Sequence, residues 1–137
     1  MRKVALVALV AVLCAACEGG GGNTTGPSAS PYNQTQTGTV AIFGTTRHAV
    51  NVTRGGNLSV RLSWQDSAVD LDLYLAPSTC IDLYPIASCG VLVGSSATSG
   101  TAEQIARSVS SGDTYFLFVD NMSTTQAQNY TLNITID

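Results

Sequence analysis

Apolar and polar residues alternate along several short segments of this chain. The alternation is clearest at residues 57–64 and 129–136, and residues 70–75 show it as well. Because successive side chains of a strand point to opposite faces, this pattern predicts strands with one buried face. Residues 114–119 are apolar on both faces and therefore predict a central strand.

Weaker strand candidates lie between these segments, at residues 39–43, 48–53, 91–93 and 103–109. Turn-forming residues separate the candidates, as at residues 54–56, and no window shows the apolar 3.6-residue period of a long helix. About eight short strands with turns between them predict an all-β fold, an antiparallel β-sandwich.

The N-terminal residues have a different pattern. Arg2 and Lys3 precede an apolar run at residues 4–13, and small residues follow it. This order is typical of a signal peptide, which we predict at residues 1–16. The apolar run has about ten residues, whereas a helix that spans a bilayer needs about 20. A permanent transmembrane anchor or a buried core helix therefore fits less well.

The end of this leader resembles the lipobox of bacterial lipoproteins, since Ala15-Ala16-Cys17 precedes a stretch rich in Gly, Ser and Thr. The resemblance implies cleavage before Cys17, lipidation of that cysteine, and a lipid anchor in the membrane of the bacterial cell envelope, at the outer membrane or cell surface. Cys14 fits less well because Leu13 would occupy a position that requires a small residue. The alternative is secretion as a soluble protein after cleavage near Ala16.

The residues that follow the leader contain almost nothing to bury. Residues 18–37 consist mainly of Gly, Ser, Thr, Asn, Gln and Pro. We therefore predict a lipidated cysteine and flexible linker at residues 17–37, with an end-to-end reach of roughly 25 Å, and a folded domain at residues 38–137.

The charge balance argues against nucleic acid as a partner. The formal net charge is −3, and without the leader four arginines stand against nine acidic residues, a net charge of −5 with no lysine. Nucleic acids and anionic membrane surfaces favour clustered positive charge. Four scattered arginines do not provide such a cluster.

Five segments of the chain occur in a recognisable order. They are Leu62-Ser63-Trp64, Asp70-Leu71-Asp72-Leu73-Tyr74-Leu75, Glu103-Gln104-Ile105, Gly112-Asp113-Thr114-Tyr115-Phe116-Leu117-Phe118-Val119 and Asn129-Tyr130-Thr131-Leu132-Asn133-Ile134. Across residues 40–137 this order resembles the bacterial pre-peptidase C-terminal domain. The resemblance implies a jelly-roll-like sandwich that is non-catalytic and usually attached to secreted proteases or other exported enzymes. Some members of that family use calcium. In contrast to the usual arrangement in that family, we expect no enzyme beside the domain here.

No residue pattern predicts catalysis, and we expect no catalytic residue and no required cofactor. The only histidine, His48, has no nucleophile motif around it and is interpreted as structural or exposed. Acidic residues are present, but none lies in a glycosidase motif. The glycines at 19–22 neither follow a strand nor open a helix, so they do not form a phosphate-binding loop.

Cys80 and Cys89 lie nine positions apart between two strand candidates. In an exported domain this pair predicts a disulfide, which contributes roughly 2–3 kcal/mol by closing a short loop. A zinc site needs further cysteine or histidine ligands and a redox site favours Cys-x-x-Cys, so both alternatives fit less well.

Three aspartates form the most suggestive cluster. Asp70 and Asp72 share one face of a predicted strand, and Asp66 lies in the loop before it. Calcium prefers six to eight oxygen ligands, and loop and strand carboxylates commonly supply them. The alternative is that Asp66 and Asp70 accept hydrogen bonds from turn amides while Asp72 is solvated. Both interpretations stay open at this point.

These observations predict a non-catalytic, membrane-anchored binding or adhesion module outside the cytoplasm, holding a protein or glycan at the cell surface. The alternative is a structural accessory of an exported protease or another envelope enzyme or assembly. An adjacent gene for such an enzyme would favour the accessory role.

Overall fold

The protein is described by a computed structural model that covers residues 32–96 and 100–137. Eight strands and one short helix follow one another in these residues. They are β1 (Tyr32–Val40), β2 (Thr45–Asn51), β3 (Gly56–Trp64), β4 (Leu71–Pro77), α1 (Ile86–Cys89), β5 (Val93–Ser95), β6 (Ala102–Val109), β7 (Thr114–Asn121) and β8 (Gln128–Ile136). No helix in these two ranges is long and apolar enough to cross a membrane.

The strands form two antiparallel four-stranded sheets. The first sheet has the order β1-β8-β3-β6 and the second β2-β7-β4-β5. Every pairing of neighbouring strands is antiparallel. This confirms the predicted all-β, antiparallel β-sandwich of eight strands.

The core between the sheets is built from the predicted alternation. Every second residue of β3 from Leu58, and every second residue of β8, is buried. These side chains share one core with alternate residues of the second sheet, such as Leu73 and Leu75 of β4 and Val119 of β7. β7 pairs with β2 on one side and β4 on the other, so its prediction as a central strand is also confirmed.

The first strand begins earlier than predicted. β1 starts at Tyr32 and pairs with β8 along its whole length, so it includes residues 32–37, which were expected to belong to the linker. Its inward-facing positions are mostly polar and only partly buried, which leaves no apolar alternation to detect. Backbone hydrogen bonds to β8, rather than apolar burial, define this edge strand. The strand predicted at 39–43 coincides with β1 only at Thr39 and Val40, because a turn follows Val40.

Two other weak candidates are displaced by a few residues. The strand predicted at 48–53 is β2, which begins at Thr45, and the strand predicted at 91–93 is β5, which begins at Val93. The candidate at 103–109 coincides with β6 apart from one residue. The signal peptide at 1–16, Cys17 and the linker up to residue 31 lie outside the described residues.

His48 faces the interior of the sandwich. Its Nε2 atom lies 2.6 Å from the hydroxyl of Tyr130, with which it shares a hydrogen bond. The Tyr130 ring lies directly over Gly38, where a Cβ atom would come within 2.5 Å of the hydroxyl oxygen. Only glycine therefore leaves room for this pair. The interpretation of His48 as a structural residue agrees with its position.

We expect His48 to make the protein less stable on mild acidification. Burial lowers the pKa of His48 below its ordinary value of 6.5, so below that pH the unfolded chain binds more protons than the folded one. Burial raises the pKa of Tyr130, which therefore stays protonated throughout. Urea unfolding followed by the fluorescence of Trp64 at about pH 7.5 and about pH 5.5 measures the effect. His48→Gln should show a smaller loss, and an equal loss in both proteins would contradict the assignment.

The outer faces of the two sheets differ. On the first sheet, exposed polar side chains pair with one another, as Thr35 does with Asn133 at 3.0 Å and Thr39 with Asn129 at 2.6 Å. On the second sheet, residues 78–92, here called the covering segment, lie over β4 and β7. The covering segment buries Leu83 in a small second core.

A disulfide between Cys80 and Cys89 closes the covering segment, with their Cα atoms 4.9 Å apart. This confirms the predicted pairing. The two cysteines are buried with Ala76 of β4 and Phe118 of β7. The disulfide therefore holds the covering segment against the outer face of the second sheet.

Candidate functional site

Three segments meet at one end of the second sheet and expose apolar side chains there. Phe43 lies in the turn between β1 and β2, Tyr84 in the covering segment and Met122 just after β7. Their side chains are 66%, 51% and 52% exposed. We call these three residues the apolar rim. They line a pocket of about 290 Å³, whose remaining lining residues are Asp120 and Asn121.

Phe43 has an unusual backbone conformation. Its φ angle is 48°, in the left-handed region that bulky residues rarely adopt. The surrounding turn is closed by a hydrogen bond from the Gly44 amide to the Ala41 carbonyl, at 3.0 Å. A strained backbone persists only where neighbouring structure holds it in place. The turn thus presents the aromatic ring to solvent.

Asn121 holds this turn in place. Its side chain is fully buried, and its Nδ2 group donates to the carbonyls of Ala41 and Gln126, each at 3.0 Å. Its Oδ1 atom accepts a hydrogen bond from the Ser123 amide at 2.9 Å. Its backbone amide donates to the Gly44 carbonyl at 2.9 Å. One side chain therefore connects the two segments that carry Phe43 and Met122.

Asp120 lies at the floor of the pocket and is only 2% exposed. Its Oδ1 atom accepts a hydrogen bond from the Thr45 hydroxyl at 2.6 Å, and its Oδ2 atom accepts a short hydrogen bond from the Tyr84 hydroxyl. Both donors are neutral hydroxyl groups. Asp120 is therefore a buried carboxylate whose partners bring no positive charge.

A second buried carboxylate lies beside it. Asp72 is paired directly with Asp120 across β4 and β7, so their side chains share the outer face, with Cβ atoms about 4.5–5.5 Å apart. Oδ2 of Asp72 accepts a hydrogen bond from the Tyr74 hydroxyl at 3.0 Å. Its Oδ1 atom is buried and has no hydrogen-bond partner among the residues that the structure describes. We call Asp72 and Asp120 the carboxylate pair.

The two tyrosines of this site are fixed as hydrogen-bond donors. Burial raises the pKa of Tyr84 far above its ordinary value, and its hydrogen bond to Asp120 and the charge of that carboxylate raise it further. Burial and the hydrogen bond to Asp72 raise the pKa of Tyr74 in the same way. Both hydroxyls therefore stay protonated and donate to the carboxylate pair.

The three aspartates predicted as a cluster have separate environments. Asp66 is exposed and accepts a hydrogen bond from the Ala68 amide at 2.9 Å and another from Gln126, and these bonds lower its pKa. Asp70 precedes β4, and partial burial raises its pKa, with the charge of Asp72 adding to the effect. The turn-amide interpretation is thus confirmed for Asp66.

The expectation that Asp72 is solvated is wrong. Asp72 is 5% exposed because the covering segment lies over the face of β4 that was expected to meet solvent. Within residues 32–96 and 100–137, no group of three or more His, Cys, Asp or Glu side chains is arranged to hold a metal ion. Calcium binding by Asp66, Asp70 and Asp72 stays a prediction.

The sequence alone does not indicate the most informative residues of the site. Phe43, Tyr84 and Met122 lie far apart along the chain and belong to no motif. Asn121 follows an apolar strand, as many surface asparagines do, so its burial leaves no signal in the sequence. A weak signal does exist for Asp120, since it is a charged residue at the end of an otherwise apolar central strand.

No protein-family model and no curated protein matches the sequence. Solved structures do match it. The Yersinia pseudotuberculosis-derived mitogen is similar at 21% identity and a TM-score of 0.56, covering 78% of this chain and 87% of that one. The periplasmic inhibitor of g-type lysozyme from Aeromonas hydrophila has 9% identity, a TM-score of 0.59, and coverage of 80% and 90%.

A third similar structure is the pre-peptidase C-terminal domain of a collagenase from Bacillus anthracis. Its identity is 17% and its TM-score 0.55, with 74% of this chain and 88% of that one covered. This match supports the resemblance to that domain noted in the sequence. At these identities the likeness is one of fold, and the chain shares its β-sandwich with all three proteins.

Proposed function

We propose that this protein is a non-catalytic binding or adhesion module of the bacterial cell envelope, and that it binds a protein partner through the apolar rim. The observation that carries the proposal is the exposure of Phe43, Tyr84 and Met122 around one pocket. Aromatic residues and methionine are enriched at protein interfaces, and an exposed apolar patch commonly marks one.

The rim is held in place rather than free to collapse. Asn121 fixes the turn of Phe43, and the hydrogen bond to Asp120 fixes Tyr84. Binding surfaces that are ordered before binding lose less conformational entropy on association. The other exposed large apolar residues of the described chain, Ile42, Ile81 and Ile86, belong to the same turn and covering segment. The candidate interface is thus confined to one side of the sandwich.

A non-catalytic role agrees with the surroundings of the site. A hydrolase of the triad type needs a nucleophile within reach of a base. His48 faces the interior of the sandwich, whereas Asp120 lies on the outer face of the same sheet. Two of the similar structures are a lysozyme inhibitor and a pre-peptidase C-terminal domain, which is compatible with binding as the main activity.

Photo-crosslinking in intact cells tests the proposed interface. Placing p-benzoylphenylalanine at Phe43 should give an ultraviolet-dependent adduct with one protein. The matched control places it at Thr37, an exposed residue on the outer face of the first sheet. No adduct at 43, or the same adducts at both positions, would contradict the proposal. An adduct with an exported protease or an envelope assembly would show that the protein acts as an accessory of that enzyme or assembly.

The location of the protein is part of the same proposal. The disulfide between Cys80 and Cys89 agrees with an oxidising compartment outside the cytoplasm. We expect Cys17→Ser to move the protein from the membrane fraction to the soluble fraction, or to leave an uncleaved precursor, because a thioether-linked lipid needs the cysteine. Cell fractionation and intact mass measure both. Unchanged mass and membrane partitioning would contradict lipidation, and Cys14→Ser serves as the control.

A further inference from the structure

We infer that the partner presents an arginine side chain to the apolar rim, where its guanidinium group lies over the pocket and pairs with Asp120. This inference rests on the proposed function and names the chemistry of the partner. Two features of the site support the inference, namely the carboxylate pair and the aromatic residues that surround the pocket.

In the described part of the chain, the two buried carboxylates have only neutral hydrogen-bond donors. Within these residues, Asp120 accepts from two hydroxyls, Asp72 accepts from one through Oδ2, and Oδ1 of Asp72 accepts from none. A buried carboxylate oxygen without a partner is costly, and buried charges are usually paired with an opposite charge. The described part of the chain therefore leaves negative charge uncompensated beneath the rim.

The arginine on the same face of the sheet does not supply this charge. Arg47 lies on β2, but its guanidinium group lies over the Phe116 ring, 4.4 Å from the ring centroid. It also donates a hydrogen bond to the Ile81 carbonyl at 2.6 Å. Arg47 is thus engaged with Phe116 and the covering segment rather than with a carboxylate.

The apolar rim suits an organic cation better than a metal ion. Phe43 and Tyr84 provide aromatic faces, and Met122 provides a polarizable, adaptable side chain. Calcium prefers a set of six to eight oxygen ligands, which an apolar rim does not offer. A guanidinium group is weakly hydrated, stacks on aromatic rings and donates in a fixed fork to a carboxylate. Arginine therefore fits both the floor and the walls of the pocket.

The site also leaves acceptor capacity for a guanidinium group. Among the described residues, each Asp120 oxygen accepts one hydrogen bond, from Thr45 or from Tyr84, and a carboxylate oxygen has two lone pairs. An incoming guanidinium group can therefore donate to Asp120 while the Tyr84 hydroxyl stays bonded to it. The excess of acidic over basic residues in the chain further favours a basic partner through long-range attraction.

A peptide titration of the full-length protein tests the inference. Methionine occurs only at positions 1 and 122, so labelling methionine methyl groups with carbon-13 places a reporter in the rim. The probes are acetyl-Leu-Arg-Leu-amide and the same peptide with citrulline, which keeps the shape of arginine without its charge. We expect a saturable shift of the Met122 resonance with the arginine peptide and at least about tenfold weaker binding of the citrulline peptide. Added salt should reduce this difference.

Substitutions assign the effect to the carboxylate. Asp120→Asn should abolish the difference between the two peptides, whereas Asp82→Asn, an exposed change of the same charge, should preserve it. Should Asp120→Asn fail to fold, Tyr84→Ala decides the matter, since it removes an exposed rim residue and should weaken arginine binding about tenfold. Equal binding of both peptides, or no shift with either, overturns the inference. A crosslink at position 43 combined with equal peptide binding overturns the arginine inference and leaves the proposed function standing.

Discussion

Replacing Asn121 with alanine should lower the free energy of unfolding by about 2–4 kcal/mol, because it removes a buried amide and leaves several partly buried backbone groups without partners. The amide side chain is fully buried and bonds to the carbonyls of Ala41 and Gln126 and to the Ser123 amide. None of these bonds can be made by alanine. Urea unfolding followed by the fluorescence of Trp64, the only tryptophan, measures the loss.

The matched control is Asn129→Ala. Asn129 is exposed, and within the described residues its side chain makes one hydrogen bond, from the Thr39 hydroxyl at 2.6 Å. Exposed substitutions of this kind usually change stability by less than about 0.5 kcal/mol. Similar losses in the two variants would show that Asn121 does not hold the turn. Because that turn presents Phe43, Asn121→Ala should also reduce the crosslink at position 43 under conditions where the protein remains folded.

Removing the disulfide should cost about 2–3 kcal/mol, the value for closing a loop of this length. Cys80→Ala combined with Cys89→Ala tests this by the same unfolding measurement. The bond also holds the covering segment over the second sheet, where Leu83 and Phe118 pack against the cysteines. Its loss should therefore free Tyr84 from Asp120 and weaken binding at the rim.

The reduced wild-type protein is the control for the disulfide. Treatment with a thiol reductant should bring its unfolding midpoint to that of the double variant, without changing the variant itself. If reduction leaves the midpoint of the wild type unchanged, the disulfide does not stabilise the folded protein. If the double variant is destabilised but binds the arginine peptide as tightly as the wild type, the covering segment does not depend on the bond for its position.

Much of the fold was predictable because it depends on local patterns. In β3 and β8 one face packs against the core and the other does not. Apolar and polar side chains therefore alternate along both strands, and this pattern is visible in the sequence. β7 is apolar on both faces because one face meets the core and the other meets the covering segment. β1 was missed because backbone pairing with β8 holds a strand whose side chains are mostly polar.

The candidate site was less predictable. The sequence drew attention to Asp72 through its neighbours Asp66 and Asp70, with calcium as one interpretation. Its cross-strand partner is instead Asp120, which is 48 positions later in the chain. No local rule connects these two residues. The apolar rim also depends on contacts between distant parts of the chain. The Tyr84 hydroxyl, for example, contacts the Met122 sulfur, which is 38 positions later.

The sequence by itself determined the class of the fold, the buried faces of β3 and β8, and the pairing of Cys80 with Cys89. Each of these follows from chemistry that acts over a few residues, namely the two-residue period of a strand and the closure of a short loop by two cysteines. Only the tertiary structure decided that the covering segment lies over the second sheet. That placement buries the carboxylate pair and leaves Phe43, Tyr84 and Met122 exposed around it. It could not be predicted from the sequence because it depends on contacts between residues far apart along the chain.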